Sequence, residues 1–222
     1  MSDSKAPDAE VELSGNNNAA AGSQAELKEA SGGPLKRTVV LVGLMGAGKT
    51  TIGRRLASKL DVDFIDSDDE IEKAAGCSIP DIFEKYGEDE FREGERKIIK
   101  RLMTQTPCVL ATGGGAFMNA DSRKVIAENG LSVWLKAEIG TLLRRVSKRK
   151  NRPLLRQGDP KKIMAKLIDE RYPVYAEADI TVGSAEGPHD VVVQKIVEAL
   201  IKADYLSDKF RASASDRRRG GK

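Results

Sequence analysis

Cysteine is almost missing from this chain of 222 residues: only Cys77 and Cys108 occur, far apart and outside any C-x-x-C pair. That excludes a disulfide framework and argues against a zinc site, and a reducing compartment is the default, with the cytoplasm as the expected location. Histidine is scarcer still, and the single His189 reads as a helix-start residue without chemistry. No apolar run approaches the roughly 18 residues a membrane span needs, so no membrane partner is expected. The first residues lack a basic start followed by an apolar stretch, and their acidic character speaks against a transit peptide. Excess charge is also lacking. The formal net charge of +3 is too small to argue for nucleic acid as a partner.

The small net charge hides an uneven distribution. Met1–Pro34 holds two Lys against six acidic residues and no aromatic residue. Segments such as "SGNNNAAAGS" cannot bury enough apolar surface to offset their ordering entropy, so residues 1–34 are expected to be a disordered extension. Residues 207–222 carry six Lys or Arg against two Asp and end in "RRRGGK". They read as a basic, disordered tail. Between the tails, residues 35–206 form the expected folded domain.

Within that domain short β-rich runs alternate with helical patterns. "TVVLV" (Thr38–Val42), "VDFID" (Val62–Asp66), "CVLATGGG", "LSVWLKA" and "ADITVGS" read as about five strands. After the first, Ile52, Leu56 and Leu60 fall on one helix face. "DDEIEKAAG" predicts a short helix with an acidic first turn and Gly76 as its stop. "SIPDIFEKYG" has Ser78 as cap, Pro80 in the first turn and Gly87 at its end. "EDEFREGERKIIKRLM" is a long charged helix, "EIGTLLRRVSKRK" is helical, "RPLLRQGDPKK" is a loop, "KKIMAKLIDERYPVY" starts helical, and "HDVVVQKIVEALIKADYL" is a last helix. Strand–helix alternation with parallel crossovers implies a doubly wound α/β sheet covered on both faces.

Gly43 to Thr50 reads G-x-x-x-x-G-K-T, placed after a strand and opening a helix. Glycines let the backbone curl so that successive N–H groups point inward at phosphate. The helix start adds its positive dipole end, Lys49 reaches the outer phosphates, and Thr50 offers a hydroxyl to Mg²⁺. A nucleoside triphosphate with Mg²⁺ is the expected ligand. The N-K-x-D and D-x-x-G spacings of GTPases are both missing. The late apolar strand runs into Thr112 and glycines rather than ending in Asp, as motors and transporters would have it. A kinase for a small molecule fits better.

Asp66 and Asp68 stand two apart at the end of a strand, where an open α/β sheet places its ligand crevice. One carboxylate can hold Mg²⁺ through water and the other accept a proton from an attacking hydroxyl, although "DSDD" would also serve as a helix cap. Gly113, Gly114 and Gly115 follow a strand directly, which suits close approach of a ligand or binding by amides. Arg92, on a charged helix, reads by periodicity as a solvated residue. Arg149, Arg152 and Arg171 flank a loop, about residues 148–162, that reads as a lid over a transferring phosphoryl group or a carboxylate.

The combination of "GLMGAGKTTIGRRLA", "FIDSDDEIE", "GEDEFREGE", "VLATGGGA", "NRPLL" and "ERYPVYAEAD" resembles the shikimate kinase family across about residues 36–206. The resemblance implies a P-loop fold like that of nucleoside monophosphate kinases, with a five-stranded parallel sheet in order 2-3-1-4-5 and helices on both faces. It implies transfer of the γ-phosphoryl of ATP to the 3-hydroxyl of shikimate, on the route to chorismate and aromatic amino acids, by a monomer. Gly46, Ala47, Gly48, Lys49, Thr50 and Thr51 would bind ATP phosphates, with Thr50 and Asp66 at Mg²⁺. Asp68 would bind the shikimate hydroxyls and accept the proton. Arg92 and Arg171 would hold the carboxylate, with Gly113, Gly114 and Gly115 against the ring. Arg145 would stack on adenine, and Arg152 would join Lys49 in catalysis from the lid. Only the resemblance moves Arg92 from a solvated face to a site. Thr50 stands where the family more often has Ser, and neither tail has a family counterpart.

Overall fold

The computed structural model describes residues 33–147, 159–184 and 188–207. Arg149, Arg152, most of the expected lid and nearly all of both expected tails lie outside the described residues.

Five strands, β1 (Thr38–Val42), β2 (Phe64–Asp66), β3 (Val109–Ala111), β4 (Gly130–Lys136) and β5 (Ile180–Gly183), form one sheet. Its order is β2-β3-β1-β4-β5 and every pairing is parallel, as the resemblance implied. β1 is central: Val40 stands beside Leu110 on one side and Ser132 on the other. All five of its residues are buried. Because alternate strand residues face opposite ways, a strand buried at every position must be covered on both faces.

The covering helices are α1 (Lys49–Leu60), α2 (Ser67–Ala75), α3 (Ile79–Met103), α4 (Ala120–Asn129), α5 (Ile139–Ser147), α6 (Pro160–Tyr175) and α7 (His189–Lys202), with a short 3-10 turn at Ala116–Met118. Ile52, Leu56 and Leu60 are all buried, the face their spacing predicts. Ser78 caps α3 by accepting from the Asp81 amide, and Asp81 returns the bond to the Ser78 amide. Gly87, at φ 84° and ψ 179°, breaks α3 into the two helices expected on either side of it. The chain ends of the domain meet: Leu35 bridges Leu206, and the Lys36 ammonium donates to Asp204 at 2.9 Å.

Three local expectations change. β2 and β3 are shorter than their apolar runs: β2 begins only at Phe64, and β3 ends at Ala111, where the backbone turns into the glycines of the site. The α4 helix, absent from the sequence reading, is announced only by Asn119, whose side chain accepts from the Ser122 amide as N-cap. Pro160, read as loop, opens α6 instead, and Lys161 and Lys162, shared by the loop and helix readings, belong to the helix. Asp159 caps it by accepting from the Lys161 amide, and Pro160 takes the first helical position, where a missing N–H costs nothing. The helix then continues through Pro173 to Tyr175.

Candidate active site

Parallel strands end on the same side, so the segments leaving β1, β2 and β3 converge there. They enclose a cleft of about 530 Å³ that opens between the glycine loop and α3.

The loop after β1 takes backbone conformations that L side chains avoid. Gly46 has φ 83°, and a Cβ there would sit 2.9 Å from Val146 Cγ2. Gly48 caps α1 without any side-chain acceptor, so the first-turn amides face the cleft as anion donors. Lys49 Nζ donates to the carbonyls of Gly43 and Leu44 at 2.7 and 3.1 Å, folding back across the loop. Arg145 Nη1 reaches the carbonyls of Gly46 and Ala47, both at 3.3 Å, and Ser184 Oγ at 3.0 Å. Ser184, fully buried, also donates to Ala47 O at 2.8 Å. Burial, with Arg144 nearby, holds the Arg145 guanidinium below its ordinary value. Arg145 therefore braces the loop from the side.

At the end of β2, Asp66 does two things. Its Oδ1 accepts from the Asp68 amide, making it the N-cap of α2, and its Oδ2 accepts from Thr50 Oγ1 at 2.9 Å. The capping reading of "DSDD" therefore holds for this residue, and its second oxygen faces Thr50. The face-sharing argument does not hold: Asp68 belongs to the first turn of α2 rather than to the strand, and it reaches the cleft through the capped turn. A hydroxyl and a carboxylate in contact beside the phosphate loop form a hard-oxygen pair of the kind that suits Mg²⁺.

Of the three glycines after β3, Gly113 and Gly115 lie close against side chains of the cleft. A Cβ on Gly113 would lie 2.7 Å from Glu95 Oε1 and 2.8 Å from Asp68 Oδ1. On Gly115 it would lie 2.5 Å from Arg92 Nη1. Gly114 has more room, and its carbonyl accepts from Arg171 Nη1 at 2.9 Å and from the Tyr175 hydroxyl. The Gly113 amide donates to the buried Ser67 Oγ at 3.1 Å, tying the turn to α2.

Arg92 is held rather than solvated. Its Nη1 donates to Glu95 Oε2 at 2.8 Å and its Nη2 to Glu88 Oε1 at 3.0 Å. Burial works against its charge, but Glu95 and Glu88 outweigh it and the guanidinium is raised. Glu95 is only 3% exposed. There burial wins over Arg92 and pushes the carboxyl above its usual range, with Asp68 adding to the push.

Lys49, Thr50, Asp66, Asp68, Arg92 and Arg171 thus line one cleft, together with Arg145 and the three glycines. His189 starts α7, as read, but also lines this cleft. Ser184 and Tyr175 escaped the sequence reading, and Glu95 entered it only as the last residue of "GEDEFREGE", without a role. Glu95 had a signal in its place three residues after Arg92, one helical turn along the same face. The other two had none.

The family model for shikimate kinase matches residues 45–201. The shikimate kinase of Paramagnetospirillum magneticum is 53% identical over 169 residues, covering 76% of this chain and 87% of that protein. That of Rhodopseudomonas palustris is 54% identical over 170 residues, covering 77% and 83%. Among solved structures, the shikimate kinase of Acinetobacter baumannii in complex with shikimate superimposes with a TM-score of 0.73 at 38% identity, covering 82% of this chain and 98% of that one. The fold, the site and these likenesses converge: the chain belongs to the shikimate kinase family.

Proposed function

We propose that this cleft transfers the γ-phosphoryl of ATP to the 3-hydroxyl of shikimate. The observation that carries the reading is that one cleft is lined both by the glycine loop with Lys49 and Thr50 and by two guanidinium groups, Arg92 and Arg171, with the Asp68 carboxyl. The reading makes the first set one wall and the second set the other.

On the first wall the amides from Gly46 to Thr51 and the Lys49 ammonium hold the ATP phosphates. Lys49 exchanges its carbonyl partners for phosphate oxygens, a favourable trade because the phosphate oxygens carry negative charge and the carbonyls do not. Thr50 and Asp66 would hold Mg²⁺, which when bound neutralises charge on the phosphate oxygens. Arg145 keeps the loop in shape beside the nucleotide base. Arg152, outside the described residues, is assigned to the phosphates from residues 148–162.

On the second wall Arg92 and Arg171 grip the substrate carboxylate. Arg92 is set in advance, since Glu95 and Glu88 fix its fork. Asp68 accepts a hydrogen bond from the 3-hydroxyl and takes its proton as the oxygen attacks the γ-phosphorus; the bond from that phosphorus to the departing ADP oxygen breaks. Such transfers have loose transition states, so alignment and charge placement supply most of the rate. An uncharged polyol would leave Arg171 without its anion at a cost on the order of a few kcal/mol, which is the basis of selectivity. Every group named comes from one chain, so a monomer suffices. The free thiols Cys77 and Cys108 suit a reducing cytoplasm. Among the described residues no helix is long and apolar enough to cross a membrane.

A coupled assay of ADP release with shikimate, gluconate and nucleoside monophosphates tests the assignment. Release with shikimate alone is expected. Release with gluconate and none with shikimate would overturn it.

A further inference from the structure

The Gly114 carbonyl is held twice from a single helix. Arg171 Nη1 and the Tyr175 hydroxyl both donate to it, across 57 and 61 residues of chain. Arg171 and Tyr175 are i and i+4 on α6 and so share a face. The sequence gives Tyr175 no role beyond the core, and nothing in the proposed chemistry uses it.

The two donors differ in freedom. Tyr175 is 1% exposed, and its ring lies among Phe117, Trp134 and Tyr172 at centroid distances of 6.4, 6.0 and 6.3 Å. A ring packed that way cannot swing its hydroxyl to another partner. Burial pushes that hydroxyl up to about 12, with Arg171 beside it pulling the other way, so it stays a proton donor at neutral pH. Arg171 lies in the cleft, and one of its five N–H groups is spent on Gly114 O. Without the Tyr175 hydroxyl, an Arg171 fork that turned toward a carboxylate would leave that carbonyl with no donor from α6, a cost that opposes the turn.

We infer that Tyr175 is a positioning residue for the substrate: its hydroxyl is the standing donor to the Gly114 carbonyl, which frees Arg171 for the carboxylate and keeps the glycine turn in register with α6. The inference rests on the proposed role of Arg171. Tyr172 supplies the contrast. Its ring belongs to the same aromatic cluster, but its hydroxyl donates to Ala137 O, away from the glycine turn.

The experiment compares Tyr175→Phe with Tyr172→Phe, each removing one oxygen and keeping the ring. For Tyr175→Phe the KM for shikimate should rise about five- to tenfold, the equivalent of one lost hydrogen bond, with the KM for ATP unmoved. For Tyr172→Phe the KM for shikimate should stay at the wild-type value. In an Arg171→Lys background Tyr175→Phe should add little further, because the two residues act through one carbonyl. An unchanged KM in Tyr175→Phe, equal rises in both tyrosine variants, or full additivity with Arg171→Lys would each overturn the inference. If Arg171→Lys alone leaves the KM for shikimate unchanged, the carboxylate clamp fails first, and the two failures are told apart. Should Tyr175→Phe fold poorly, shikimate titration followed by emission of the single Trp134, on the folded fraction at low temperature, gives the same comparison as binding.

Discussion

Glu95 concentrates the electrostatics of the site in one carboxyl. One oxygen anchors Arg92, and the other, Oε1, is buried without a hydrogen-bond partner. Its folded-state pKa is raised, chiefly by burial. The folded state therefore holds a proton on Glu95 more tightly than the unfolded chain does. The stability this group adds is complete below the ordinary carboxylate range and is lost as pH rises through the raised value. Glu95→Gln does not titrate. The unfolding free energy of the wild type relative to Glu95→Gln should therefore increase from about pH 7 to about pH 4. Urea melts across that range check it, and a difference that is flat or shrinks on acidification would refute the account. Asp68 bears on turnover instead. Asp68→Asn keeps the shape and removes the proposed proton acceptor, so kcat should fall by about 10²–10⁴-fold while ATP binding, read by calorimetry, persists. Near-normal turnover would remove Asp68 as base or positioner. Residue identities at both positions were readable, but only Asp68 stood out, because a Glu on a charged helix looks solvated until its burial is known.

Elements follow from local rules wherever the deciding contact is local. The Ser78–Asp81 capping box spans four residues and sits at the expected helix start. Ser78→Ala should cost about 1 kcal/mol, seen as a lower urea midpoint at constant m-value. The break at Gly87 was legible for the same reason. By contrast, α6 runs through Pro173, a residue that argues locally for an end. What holds the last turn is the Tyr175 ring in the core, a contact with residues far away in sequence. Gly130 at the head of β4 belongs to this second kind. A Cβ there would lie 2.8 Å from the Thr38 carbonyl and 2.6 Å from Met103 Cε. The carbonyl is in the paired strand and cannot move aside. Gly130→Ala should destabilise by about 1–3 kcal/mol in a urea melt. A neutral or stabilising result would mean that the β1–β4 pairing opens to admit the methyl group, against this account.

At the scale of the whole molecule, the cleft is an outcome of strand order. β2, β3 and β1 are adjacent, so their three exits meet, although their residues are spread from Gly43 to Gly115. Arg145 and Arg171 are then brought in from α5 and α6. Every described group of the cleft lies between residues 33 and 207. A chain trimmed to residues 33–207 should retain kcat and both KM values within about twofold. Loss of activity on trimming would assign the charged ends a part in the chemistry.

The sequence by itself determined the phosphate loop, the capped helices, the β1 core strand and the types of charged group available. These depend on φ preferences, side-chain caps and periodicities that act within a few residues. Only the tertiary structure decided that Gly113 lies against Glu95 and Asp68, that Gly115 lies against the Arg92 guanidinium, and that Arg171 shares a carbonyl with Tyr175. Those facts depend on which surfaces meet far along the chain, as across 57 residues for Arg171 with Gly114 and 99 for Arg145 with Gly46. Such meetings are set by the packing of the whole sheet and its helices, which no short window of residues contains.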